Sequence, residues 1–343
     1  MIDLENIAKS VQRNCHISDA KYAGYYSLCV FLLKMREYYR WEQRIPLSHS
    51  LTKSDVGDWL SQRESEWQDY ENQDLEFLQI NNESFDPFNT PKINQTINPA
   101  GYVYSGGYGI FKKPHFFLAE LQDQQTVDGH DIFISDREIA RDMVAPPAMI
   151  VGNQIFIRKE SLRRFIWEKI EEWRWKSDNN TPMARALAYY HKSDMEKVLT
   201  DMCNNECHSA VLHEIGEAKA TVLLGTEWKQ ILNELPHSGL ELKLRAIKDH
   251  IADSISTLPG LLENENIPAL HFYFANFTGM RKEIFPEAID AYNEWINTRN
   301  LTVIEKLSQI GKAKWLDIAT RVKQTYVKEK TVDVKNLELL LAN

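Results

Sequence analysis

Pro114-His-Phe-Phe-Leu-Ala-Glu-Leu-Gln-Asp-Gln-Gln-Thr-Val-Asp-Gly-His-Asp-Ile-Phe-Ile134 is the stretch on which the fold class turns. His115 to Leu118 and Asp131 to Ile134 are short β-favouring runs, and Asp128-Gly129 stands between them. Asp-Gly accepts the positive φ that a tight hairpin needs, so the pattern predicts two antiparallel strands. Outward from it, Tyr102-Val-Tyr104 with the turn signal Ser105-Gly-Gly107 comes before, and Gly152-Asn153 with Gln154-Ile-Phe-Ile157 comes after. The 100–158 stretch therefore reads as a small antiparallel sheet. Gly106-Gly107-Tyr-Gly109 lacks the following Lys-Ser/Thr and the strand-to-helix setting of a phosphate loop, and reads as a turn.

Helical patterns flank the sheet. Ser18 or Asp19 can cap a helix running to about Glu42, apolar on most sides at Tyr22, Tyr25, Tyr26, Cys29, Val30, Leu32 and Leu33, and so expected to be buried. A second helix is predicted from Asp55 to Glu71. The Asn- and Pro-rich residues 80–100 read as a connector or long loop. From Glu160 onward helices are predicted over about 160–176, 182–191, 194–224, 241–256, 266–279, 286–298, 301–324 and 334–341. Ser193-Asp-Met-Glu196 has the form of a capping box. The fold class is α+β, predominantly α: a helical region over 1–95, a small antiparallel β-rich region over 96–158 and a helical bundle over 159–343.

The composition narrows the partners. Apolar residues make up 43% of the chain and charged residues 26%, an ordinary globular balance. A net charge of −9 gives no general attraction to phosphate backbones or anionic lipid, so neither nucleic acid nor membrane is expected as a partner. Arg158-Lys159 and Arg163-Arg164 sit in a mixed-charge helix and read as a solvated face. No apolar run approaches the roughly 20 residues of a membrane span, and the first residues lack a signal-peptide pattern. Cys15, Cys29, Cys203 and Cys207 are too few for a disulfide scaffold, which points to a cytoplasmic, reduced setting.

Metal-capable side chains concentrate in Cys203-Asn-Asn-Glu-Cys-His-Ser-Ala-Val-Leu-His-Glu-Ile-Gly-Glu217. At about 100° per residue, Glu206, His213 and Glu217 point within roughly 40° of one another along one helix. Burying two carboxylates is costly unless a cation or a metal ion accompanies them. Asp249-His-Ile-Ala-Asp253 offers His250 and Asp253 from a second helix. The candidate metal ligands are thus Glu206, His213, Glu217, His250 and Asp253, a set suited to Fe, Mn or Zn, with no nucleotide-cofactor motif in the chain. The structural alternative pairs Glu206 and Glu217 with Lys or Arg and gives His213 a core hydrogen bond. Cys203 and Cys207 read as small buried hydrophobes. Cys15-His16, His115 and His130-Asp131 are weaker candidates.

Glu206, His213 and Glu217 resemble one ligand helix of the haem-oxygenase-like di-iron oxidases, which implies an oxidoreductase. That family places His, Asp and His on a later helix, and Asp249-His250-Ile-Ala-Asp253 departs from that spacing. His213-Glu-Ile-Gly-Glu217 resembles the His-Glu-x-x-His zinc-protease motif, with Glu217 in place of the second His. Over a longer stretch, Asn14-Cys-His-Ile-Ser-Asp-Ala20, continuing to Cys29 and then Tyr39-Arg-Trp-Glu42, resembles an uncharacterised family of bacterial proteins of similar length, which implies helical N- and C-terminal parts. Two functions stay open on this reading: a metal-dependent enzyme, and a non-catalytic accessory protein docking a partner through Trp167, Trp173 and Trp175.

Overall fold

Alternation of period two sorts the side chains of the central segment onto two faces, and the computed structural model covers both. It describes residues 2–109, 112–176, 178–190, 194–235, 238–329 and 331–342. The chain divides into two units, Met1–Glu171 with Lys192–Cys207, and Glu172–His191 with His208–Asn343.

The first unit opens with α1 (Leu4–Tyr22), capped by the Asp3 side chain, followed by α2 (Leu28–Glu42) and α3 (Lys53–Tyr70). A two-stranded ribbon, β1 (Leu78–Ile80) and β2 (Glu83–Phe85), leads into α4 (Thr90–Ile97). The main sheet holds β3 (Tyr102–Tyr108), β4 (Pro114–Val127), β5 (His130–Arg141), β6 (Ala148–Val151) and β7 (Gln154–Arg158) in the order β3-β4-β5-β7-β6. The β4–β5 hairpin turns at Asp128-Gly129, both at positive φ, with Val127 opposite His130. The sheet is antiparallel except that β5 and β7 run parallel. On one face Tyr104, Phe116, Leu118 and Ala140 meet Ile7, Val11 and Cys15 of α1 and Ile93 and Ile97 of α4. On the other, Val103, Phe117, Ala119, Phe133 and Phe156 pack together.

Four expectations for this unit change. The helix predicted from Ser18 or Asp19 to Glu42 is two helices, separated by a short 3-10 turn at Ala23–Tyr25 and restarted by the Ser27 cap. Ser18 and Asp19 are interior to α1, and Asp19 forms a buried ion pair with Lys113. Only Met35, Glu37, Tyr38 and Arg40 of α2 are buried, while Leu28 is 70% and Leu33 52% exposed. The apolar count of α2 recorded its composition, whereas burial follows what packs against it. The 80–100 connector contains α4, because Pro91 sits in its first turn and Asn94 hydrogen-bonds both backbone groups of Tyr104. Arg158 and Arg164 are buried, not solvated: Arg158 forks onto Glu138 of the neighbouring strand, and Arg164 caps the carbonyls of Val144 and Ala145.

After α5 (Lys159–Lys176) come α6 (Pro182–Leu187) and α7 (Met195–Glu234), which is broken at Gly225 (φ 76°). The capping box expected at 193–196 begins on Ser193, outside the described residues. The rest of the second unit is helical: α8 (Gly239–Ala252), a π-helical turn Asp253–Thr257, α9 (Leu258–Glu263), α10 (Ile267–Ala275), α11 (Gly279–Ile284), α12 (Glu287–Thr298), α13 (Thr302–Glu329) and α14 (Val334–Ala342). Leu244, Ile247, Ile251, Phe274, Phe285, Trp295 and Trp315 lie in its core. Among the described residues no helix is long and apolar enough to cross a membrane. The fold is α+β, mainly α, with the helical bundle C-terminal to the sheet.

Candidate metal centre

Helix α8 starts where Ser238 accepts a hydrogen bond from the Glu241 backbone, and it turns Leu240, Leu244, Ile247 and Ile251 inward. Pro259 has no N–H to offer Ile255, and the regular ladder gives way to the π-helical turn that begins at Asp253. Gly216 of α7 fits against that junction. A Cβ on Gly216 would lie 2.5 Å from the Ala252 carbonyl oxygen and 3.0 Å from the Ser256 Cβ. Glycine thus permits the close approach that sets His213 and Glu217 beside Asp249 and Asp253.

One ligand atom each from His213, Glu217 and Asp249 lies within 4.8 Å of the others. His213 Nδ1 is 2.9 Å from Asp253 Oδ1, while its Nε2 faces Glu217 Oε1 at 3.7 Å. An ionised carboxylate only accepts, so Nδ1 carries the hydrogen. Asp253 also accepts from Thr257 Oγ1 at 3.0 Å and Tyr273 Oη at 3.1 Å, and it pairs with Arg281. Lys248 Nζ holds the second oxygen of Glu217, Oε2, at 2.8 Å.

The charges follow from these contacts. Burial alone would raise the Asp253 pKa, but Arg281 and His213 outweigh it and hold the carboxyl well below the usual range. Burial also opposes ionisation of Glu217, yet the facing His213 and the hydrogen-bonded Lys248 bring it down to about 2. Burial alone would lower the His213 pKa, but the hydrogen bond to Asp253 and the facing carboxylate of Glu217 carry it well above its ordinary value. Asp249 is pushed up to about 6 by burial, with Arg281 and His213 offsetting only part of it, and Glu214 to about 7 for the same first reason. The centre combines one imidazole with more carboxylate than its two permanent cations neutralise.

Of the residues singled out in the sequence, this geometry unites His213 and Glu217, with Asp253 hydrogen-bonded to the imidazole. His250 stacks on Trp315 at 4.8 Å, hydrogen-bonds the Arg281 carbonyl through Nε2 and is lowered to about 4 by burial. Glu206 is buried on the part of α7 grouped with the first unit and is not in the cluster. Asp249 completes the set. Its signal was its place four residues before Asp253, which puts the two carboxylates on one face where α8 runs into the π-helical turn.

The weaker candidates take structural places. Cys15 donates to the Phe116 carbonyl, and His16 accepts from Trp67 Nε1 at 3.1 Å, so the two are not paired. His115 Nδ1 meets Asp142 at 3.1 Å, and His130 lies at the hairpin turn. Cys203 and Cys207 are buried beside each other. Trp167 is buried, whereas Trp175 is exposed.

No curated protein and no solved structure matches the chain. Residues 6–158 match the N-terminal domain, and residues 163–343 the C-terminal domain, of a family of unknown function, DUF6866. These two matches span nearly the whole sequence, and the chain belongs to the DUF6866 family.

Proposed function

We propose that the second unit binds one divalent transition-metal ion through Nε2 of His213 and a carboxylate oxygen each from Glu217 and Asp249, and that the protein is a metal-dependent enzyme. The supporting observation is the approach of these three donors to within 4.8 Å of one another. Ligands at 2.0–2.2 Å from a shared ion stand about 3–4 Å apart, so small side-chain rotations close the site. A metal-bound histidine ordinarily donates its other N–H to a carboxylate, and Asp253 occupies that position. Lys248 engages Oε2 of Glu217, which leaves Oε1 on the side of His213. One imidazole and two carboxylates suit Fe, Mn or Zn. Three protein ligands leave positions for water and substrate, as Lewis-acid hydrolysis or oxygen chemistry requires.

The ion pairs Lys248–Glu217 and Arg281–Asp253 favour a second reading, in which they fasten α8 to α7 and α11 in a non-catalytic accessory protein. Metal analysis separates the two. The full chain is purified without chelator, loaded in turn with Fe, Mn and Zn, desalted and assayed by mass spectrometry, alongside His213→Ala and Glu217→Ala. One equivalent of metal, lost in both variants, is expected. No retained metal under any loading would overturn the metal reading and leave the accessory reading ahead.

A further inference from the structure

The first unit contains a cavity of about 340 Å³ between α2, the turn that follows it and the start of α5. Its size is that of a small-ligand site. Six arginines line it, Arg40, Arg44, Arg137, Arg141, Arg163 and Arg164, against the three carboxylates of Glu37, Glu160 and Glu196. So dense a set of guanidinium groups is unexpected in a chain with a net charge of −9. Most of these arginines have partners. Arg44 reaches Glu160 at 3.3 Å, Arg163 reaches Glu196 at 2.5 Å, and Arg137 and Arg164 pair with Glu120 and Glu168.

Arg141 differs. It is 1% exposed, and its nearest carboxylate oxygen, on Glu138, is 3.7 Å away. Glu138 already gives both its oxygens to Arg158. The Arg141 guanidinium stands 4.8 Å from the Trp41 ring, which fixes its plane, and one nitrogen reaches the Glu37 carbonyl at 3.3 Å. The Nε atoms of Arg141, Arg163 and Arg164 are buried without hydrogen-bond partners. Buried guanidinium donors ordinarily find acceptors, and all three of these arginines belong to the cavity lining. Burial brings Arg141 down to about 10; Glu138 opposes this, and the like charge of Arg164 adds to it.

We propose that this cavity binds a small oxyanion of the phosphate class, received by Arg141 on its floor and by Arg44 and Arg163 at its mouth. Planar guanidinium forks match tetrahedral phosphate oxygens, and several around one cavity select multiple charge over single. Glu160 and Glu196 hold the mouth arginines until the anion displaces them.

The test is calorimetric titration of the full chain with inorganic phosphate, pyrophosphate and citrate. EDTA and constant ionic strength keep the second unit's centre and simple screening out of the result. Saturable binding of phosphate or pyrophosphate is expected, at least tenfold weaker in Arg44→Gln and Arg163→Gln. Both side chains are at least one-third exposed, so the variants should melt like the parent. Glu196→Gln, which frees Arg163, should bind more tightly. Absence of saturable binding, tighter binding of citrate than of either phosphate probe, or affinities indifferent to all three substitutions would each overturn the proposal.

Discussion

His213 Nδ1 and Asp253 Oδ1 lie 2.9 Å apart, joining α7 to the first residue of the π-helical turn. Asp253 is itself fixed by Thr257, Tyr273 and Arg281. The imidazole is therefore oriented from behind, and its Nε2 is directed at Glu217.

Removing that support should harm metal binding without removing a ligand. Asp253→Asn keeps the side-chain shape but drops the charge that favours Nδ1–H. Metal affinity is expected to fall about 10–100-fold in competition titrations with a chelating dye. The protein should also lose stability, since Arg281 keeps its charge and loses its partner. Unchanged affinity would mean that His213 is not a ligand through Nε2.

Gly216→Ala sets two effects against each other. In an unconstrained helix the change would gain about 1 kcal/mol. Here the new methyl group would meet the Ala252 carbonyl oxygen at 2.5 Å, a backbone atom that cannot rotate away. Overpacking of this kind costs about 1–3 kcal/mol, so a net loss in urea unfolding is expected, together with weakened metal retention as α7 moves off α8. A more stable variant would show that the two helices separate freely.

Asp249 carries a pH signature of opposite sign to that of a salt-bridged carboxylate. Its pKa rises from 3.8 to about 6 on folding. The folded state thus binds the proton more tightly than the unfolded state, and the stabilisation present below pH 4 is lost as pH rises through 6. The difference is worth roughly 2–3 kcal/mol. Asp249→Asn should flatten this part of the stability profile in EDTA and make the metal-free protein more stable at pH 7, while abolishing metal retention. Urea titrations at pH 4, 5, 6 and 7 provide the check, and an unaltered wild-type slope in the variant would refute the assignment.

The β4–β5 hairpin was legible because its turn chemistry is local: Asp128 and Gly129 adopt the positive φ that their identities allow. His213 and Glu217 were legible from helical spacing. Asp249 was passed over for His250, because selecting between them requires the contact of Gly216 with Ala252, which helical angles do not contain. The aromatic packing of His250 likewise depends on Phe285 and Trp315, distant in sequence. Arg158 looked solvated because its partner Glu138 stands 20 residues earlier, on a strand whose parallel pairing has no short-range signature.

That Glu138–Arg158 pair supplies a prediction for the first unit. Glu138 takes two hydrogen bonds from Arg158, at 3.0 and 2.8 Å, and a third from Ser161 at 2.5 Å. Burial would raise its pKa, but Arg158 and then Arg141 reverse the effect and lower it. Its stabilisation is therefore present above the unfolded carboxyl pKa and is lost in acid. Glu138→Gln leaves Arg158 charged in the interior, where an unpaired ion costs about 3–5 kcal/mol. Arg137→Gln, which breaks the exposed pair with Glu120 nearby, should cost about 0–1 kcal/mol. Because the chain has two units, unfolding is best followed with probes in each. The Glu138→Gln loss is expected in the transition of the first unit, and a cost as small as that of Arg137→Gln would show that water reaches the Arg158 guanidinium.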